Sequence, residues 1–102
     1  MDEETKEQEI PQDFPLPPAT FDFLIFSLRT QCEMHLGLTV FGEETERPKP
    51  NFRLAQHTLD MLAVLQEKTK GNLTLEEQRL LENSLTELRF RYVQLVEESQ
   101  KK

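Results

Sequence analysis

One cysteine, three glycines and short apolar runs set the first bounds on this chain of 102 residues. A single Cys32 cannot form an intramolecular disulfide, which fits a reducing compartment. Apolar runs such as Phe23 to Phe26 are far too short to cross a bilayer. No segment combines a basic start, an apolar stretch and a small-residue cleavage site, so no signal peptide is expected. Without secretion, the sequon Asn72-Leu73-Thr74 carries no glycosylation reading. The expected location is cytoplasmic. Basic excess is missing too: 12 Lys and Arg stand against 19 Asp and Glu, a net charge of −7. A phosphate backbone and an anionic membrane are therefore poor partners.

Length places the chain at one domain, and an apolar fraction of 36% against 30% charged leaves little core to spare. Residues 1–18 hold six acids and one lysine, so most of the negative charge sits in an acidic, Pro-containing tail. That composition buries too little surface to offset ordering entropy and predicts disorder, with Ile10, Phe14 and Leu16 as anchors of a tethered linear segment. Pro15, Pro17 and Pro18 favour an extended approach to the first helix. The remainder, 19–102, reads as a single helical domain.

Three helices are expected, at about 21–36, 52–69 and 75–98. Thr20 caps the first and Gly37 stops it; its buried stripe is Phe21, Leu24, Ile25, Leu28, Cys32, His35 and Leu36. Asn51 caps the second, whose stripe is Leu54, Thr58, Met61, Leu62 and Leu65, flanked by Ala55, Leu59 and Ala63. Lys68 and Lys70 complement the dipole at its end, and Gly71 terminates it. Thr74 with Glu77 forms a capping box for the third, and Leu81, Leu85, Leu88, Tyr92 and Leu95 succeed it as a heptad-like seam. The short link predicts an antiparallel hairpin of the second and third helices, with the first packed across it. The connection 37–50 is long for a helix–helix loop, and Leu38, Val40 and Phe41 could tuck over the core.

The turn EKTKGNLT (Glu67 to Thr74), with EEQRLLEN and ELRFRYV after it, resembles a small bacterial family, domain of unknown function 1844. The stretch FDFLIFSLRTQCEMHLG is similar to the first helix of that family, and the likeness covers roughly residues 20–96. The resemblance implies an all-α fold and a bacterial origin. It implies no activity and offers no catalytic residue to carry over.

Several constellations carry chemistry in principle. Cys32 with His35, and His57 with Asp60, are each spaced i, i+3 and share a helix face, so two facing helices could form a tetrahedral metal site. Paired Cys motifs are missing, and no Glu stands three residues before either His, as a di-iron bundle requires. As a nucleophile, Cys32 sits beside Glu33 late in its helix, the wrong field for a thiolate. The turn Lys68 to Thr74 offers lysines and helix amides to an anion, although Glu76 and Glu77 compete for them. The same helix–GNL–helix arrangement resembles a DNA-binding unit, yet its second helix opens with acids. Arg79, Arg89 and Arg91 are too few and too spread to read a groove, and a nucleic-acid contact would have to run mainly through Arg89 and Arg91 with Arg47, Lys49 and Arg53.

What remains is an apolar surplus. Phe23, Phe26 and Met34 lie off the first helix's stripe, and Phe90 and Val93 lie beside the third's. Such a surplus is either covered by the 37–50 connection or presented to a partner. The expected function is a non-catalytic protein–protein interaction or self-association module, a homodimer through the first helix and part of the third. The alternative is a small metal or anion site at Cys32, His35, His57 and Asp60 or at the Lys68–Thr74 turn. No cofactor, small-molecule substrate, nucleic acid or membrane is expected.

Overall fold

A computed structural model describes residues 11–38 and 49–101. It contains α1 (Phe21–His35), α2 (Phe52–Lys68) and α3 (Leu75–Gln100), each in contact with both others, and no strand among the described residues. Each start is fixed by the side chain its sequence supplies. The Thr20 hydroxyl accepts from the Phe23 amide at 3.0 Å, and Asn51 Oδ1 accepts from the Leu54 amide at 3.1 Å. Thr74 and Glu77 exchange two bonds, at 2.9 and 3.1 Å, completing the capping box.

The ends are fixed by glycines with positive φ. Gly37 (φ +76) lets the Leu38 amide reach back to the Glu33 carbonyl at 2.9 Å, while its own amide bonds Met34 at 3.0 Å. This closure drops Leu38 onto the core. Gly71 (φ +80) turns the chain after α2, and the Asn72 amide bonds the Thr69 carbonyl at 2.8 Å. Three residues later α3 begins, so α2 and α3 form the expected antiparallel hairpin.

Two contacts orient α1 on that hairpin. The Asn51 amide donates to the His35 carbonyl at 2.6 Å, tying the start of α2 to the end of α1. Further up, Arg29 bonds Ser84 and Glu87 on α3. Phe52 meets Tyr92 edge to face, with ring centroids 5.7 Å apart. Passing from Arg29 to His35 thus moves from Ser84 toward Tyr92, and α1 progresses in the same sense as α3.

The core gathers Ile25, Cys32 and Leu36 from α1 and its cap, Ala55, Leu59 and Leu62 from α2, and Leu81, Leu85 and Leu88 from α3. Thr58 and Ser84 are buried among them, and Thr58 bonds the Leu54 carbonyl at 3.1 Å. The α3 seam lies where its spacing predicts, with Tyr92 and Leu95 half-buried. On α2 the buried face is rotated from the expected stripe. Ala55 and Leu59 are inside, whereas Leu54 and Met61 are exposed. The reason is bilateral packing: α3 covers the flank with Leu59, and α1 covers only part of the other. On α1, Leu24 is likewise exposed rather than buried.

In the tail, residues 11–20 are exposed, with a turn in which the Phe14 amide bonds the Pro11 carbonyl at 3.0 Å. Helix α3 runs to Gln100, two residues past its expected end at about 98. Residues 1–10, with Ile10, and 39–48, with Val40, Phe41 and Arg47, lie outside the described residues, so the covering role of the 37–50 connection falls there.

Candidate interaction surface

With about 100° between successive residues of an α-helix, the side chains of α1 sort into three directions. Ile25, Cys32 and Leu36 point into the core. Arg29 and Glu33 lie on the flank that meets α3. There Arg29 Nε donates to Glu33 at 3.2 Å, one terminal nitrogen bonds Ser84 Oγ at 3.4 Å, and the other pairs with Glu87. Burial works against the guanidinium's charge, but the two carboxylates outweigh it and the Arg29 pKa is raised. The outer half of the helix is Phe23, Leu24, Phe26, Ser27, Thr30, Gln31 and Met34.

The outermost positions Phe23, Ser27, Thr30 and Met34 are uncharged, while Phe26, at the edge of this half, is bordered by the exposed Asp22 four residues before it and by Glu33 seven residues after it. Phe23 is 40% exposed, Leu24 43%, Phe26 59% and Met34 46%, so large apolar area faces water along the length of the helix. The Phe23 and Phe26 rings lie 6.2 Å apart, tilted by 32°, and form one aromatic ledge. Even the polar members are muted: the Ser27 hydroxyl donates to the Phe23 carbonyl at 2.9 Å, inside its own helix. In a chain that is 30% charged, this strip stands apart chemically. On α2, Leu54 and Met61 are exposed as well, on the side away from Gln56, Leu59 and Asp60, which line the cleft with α3.

The five residues singled out from sequence do not form one surface. Phe23, Phe26 and Met34 belong to the α1 strip. Val93, also exposed, lines a cleft of about 350 Å³ between α2 and α3, with Leu59, Asp60, Arg89 and Tyr92. Phe90 is 64% exposed and comes two residues after the buried Leu88, which turns it to the solvent side of α3. Leu24, Leu54 and Met61 escape the sequence pattern, because apolar periodicity does not distinguish a helix flank that is covered from one that is not.

The other candidate constellations are dispersed. Cys32 is fully buried with Sγ 3.8 Å from the Ala55 carbonyl, and burial first, then Glu33, pushes its thiol pKa up to about 11. His57 is exposed, and Asp60 accepts from Gln56 at 2.9 Å on the side of α2 that faces α3. Among the described residues no three His, Cys, Asp or Glu side chains gather to hold a metal ion. At the Lys68–Thr74 turn a cleft of about 230 Å³ is lined by Lys70 but also by Glu67 and Glu82, and Lys70 leans on Glu67 at 3.9 Å. Two acids against one lysine make a poor anion cradle. No helix among the described residues is long and apolar enough to cross a membrane.

Fold and surface together define a small all-α domain, a helical hairpin of α2 and α3 with α1 packed on it and an exposed apolar strip along α1. Residues 18–94 match the family described as domain of unknown function DUF1844, and the chain belongs to that family. No curated protein and no solved structure matches it.

Proposed function

We propose that this chain is a non-catalytic helical interaction module, working in the bacterial cytoplasm and presenting the outer face of α1 to another polypeptide. The observation that carries the reading is the α1 strip itself: Phe23, Leu24, Phe26 and Met34 exposed along one helix, with charge only at its edge, where Asp22 and Glu33 border Phe26. Contiguous exposed apolar area rimmed by polar groups is the usual mark of a protein interface, and Phe and Met are enriched in interface centres. The single cysteine supports a reducing location, because it is buried as a small core residue and not paired.

Photo-crosslinking in cells tests this reading. A benzoylphenylalanine at position 26 is expected to yield adducts with a polypeptide, while the same group at the exposed position 98 yields none. Equal labelling from both positions, or none from either, would overturn the proposal.

A further inference from the structure

Resting on that reading, we infer that the polypeptide received by α1 is a second copy of this chain, docked antiparallel about a twofold axis between Ser27 and Thr30. The outermost stripe of α1 is Phe23, Ser27, Thr30 and Met34, at spacings of four, three and four. Read in either direction it runs large, small, small, large. Two copies placed head to tail therefore set Phe23 against the second copy's Met34 at each end, a ring on a thioether. Ser27 meets the second copy's Thr30 at the centre, where small side chains let two helix axes approach to roughly 8 Å. The Ser27 hydroxyl is already bonded to the Phe23 carbonyl, so it brings no unmet donor into a dry seam.

Charge selects the same face. A second copy carries the same net −7, and like-charged bodies meet at least cost where neither presents a charge. The central stripe Phe23, Ser27, Thr30 and Met34 offers that, while Arg29 and Glu33 stay engaged on the α3 flank and Asp22 stands at the edge. A lipid surface is the weaker occupant, because anionic headgroups repel an acidic protein. The symmetry closes: an isologous contact makes a dimer and not a filament.

Area sets the strength. At roughly 200 Å² for a large apolar residue, the exposed fractions of Phe23, Leu24, Phe26 and Met34 leave about 380 Å² per copy. That is about half of the ~800 Å² each side gives to a standard interface. The pair is thus a small, concentration-dependent interface.

The test is light scattering on a size-exclusion column, run on the full chain over a hundredfold concentration range. The mass is expected to rise from 12.0 kDa toward twice that value. F23K and M34E each weaken association at least tenfold while melting like the parent at the lowest concentration, where the parent too is monomeric, since both positions are substantially exposed. Mixed in equal amounts they recover the doubled mass, because the introduced lysine and glutamate face each other only in the antiparallel register. S27W, a wedge at the centre, serves as an independent disruption should either charged variant fail to fold. A monomer at every concentration, or a dimer that the mixture fails to restore, overturns the inference. A monomer whose position-26 crosslinks lead to a different protein sinks the second copy and leaves the interaction reading standing. A monomer with no crosslinks sinks both.

Discussion

Arg29 on α1 and Ser84 on α3, 55 residues apart, meet with a guanidinium nitrogen 3.4 Å from the hydroxyl. Ser84 is fully buried, and the same guanidinium pairs with the exposed Glu87 further along α3. Together with the Asn51–His35 bond and the burial of Ile25, Cys32 and Leu36, the contact sets the register and rotation of α1, and with them the residues it turns outward.

Removing that contact should loosen the domain without unfolding it. Arg29→Ala is expected to cost about 1–2 kcal/mol, the range for lost charge-assisted hydrogen bonds beside a buried hydroxyl. That corresponds to a melting shift of roughly 4–8 °C per kcal/mol for a domain of this size. A thermal melt tracked by circular dichroism reads it. A variant that melts with the parent would show the network to be ornamental.

Alkaline pH should destabilise the fold through Cys32. Its thiol titrates near 9.0 when free and near 11 in the folded chain, so the unfolded state ionises first. Stability from this group is complete below pH 9 and falls as pH rises from there through 11, by at most about 1.4 kcal/mol per pH unit. Cys32→Ala should flatten that part of the urea-stability profile. Identical slopes for the two proteins would remove Cys32 from the account.

The rotated face of α2 separates two leucines that the helical period treats alike. Leu62→Ala, fully buried, is expected to cost about 2–5 kcal/mol, and Leu54→Ala, nearly half exposed, less than about 1. The seam of α3 gives the matching contrast. Leu85→Ala should cost about 2–5 kcal/mol through lost packing, and Thr74→Ala about 1 through the lost cap. Denaturant midpoints measure all four, and equal losses within either pair would place the buried faces wrongly.

At Gly71 the cost comes from the backbone alone. A Cβ added there meets nothing within 4 Å, but φ is +80. Gly71→Ala should therefore lose about 1–2 kcal/mol, the left-handed penalty, and Gly71→Asn noticeably less. If both behave like the parent, the turn has another conformation open to it.

The helix starts and stops are legible in the sequence because each rests on one local device: Thr20, Asn51, the Thr74–Glu77 box, Gly37 and Gly71 act within four residues of themselves. The α3 seam is legible because it meets partners on both sides of one narrow stripe. The fate of Leu24, Leu54 and Met61 is not, since exposure there depends on how far α1 covers α2, a long-range property. For the same reason Glu87 gives no sign in the sequence that it belongs with Arg29 and Glu33. The α1 strip is half-visible, with Phe23, Phe26 and Met34 standing off the stripe. Val93 shares their apolar character yet lines the cleft between α2 and α3, a separation only the packing of the hairpin creates.

The bond from Asn51 to His35 has a practical corollary. With Leu38 held to Glu33 on one side and Asn51 held to His35 on the other, the ends of the intervening connection are clamped by groups that belong to the helices. Lengthening such a closed segment costs only about 0.6 kcal/mol per doubling. A fluorescent or affinity insert should be hosted there with the melting temperature nearly unchanged, giving a reporter carried on the body of the domain and far in sequence from either terminus.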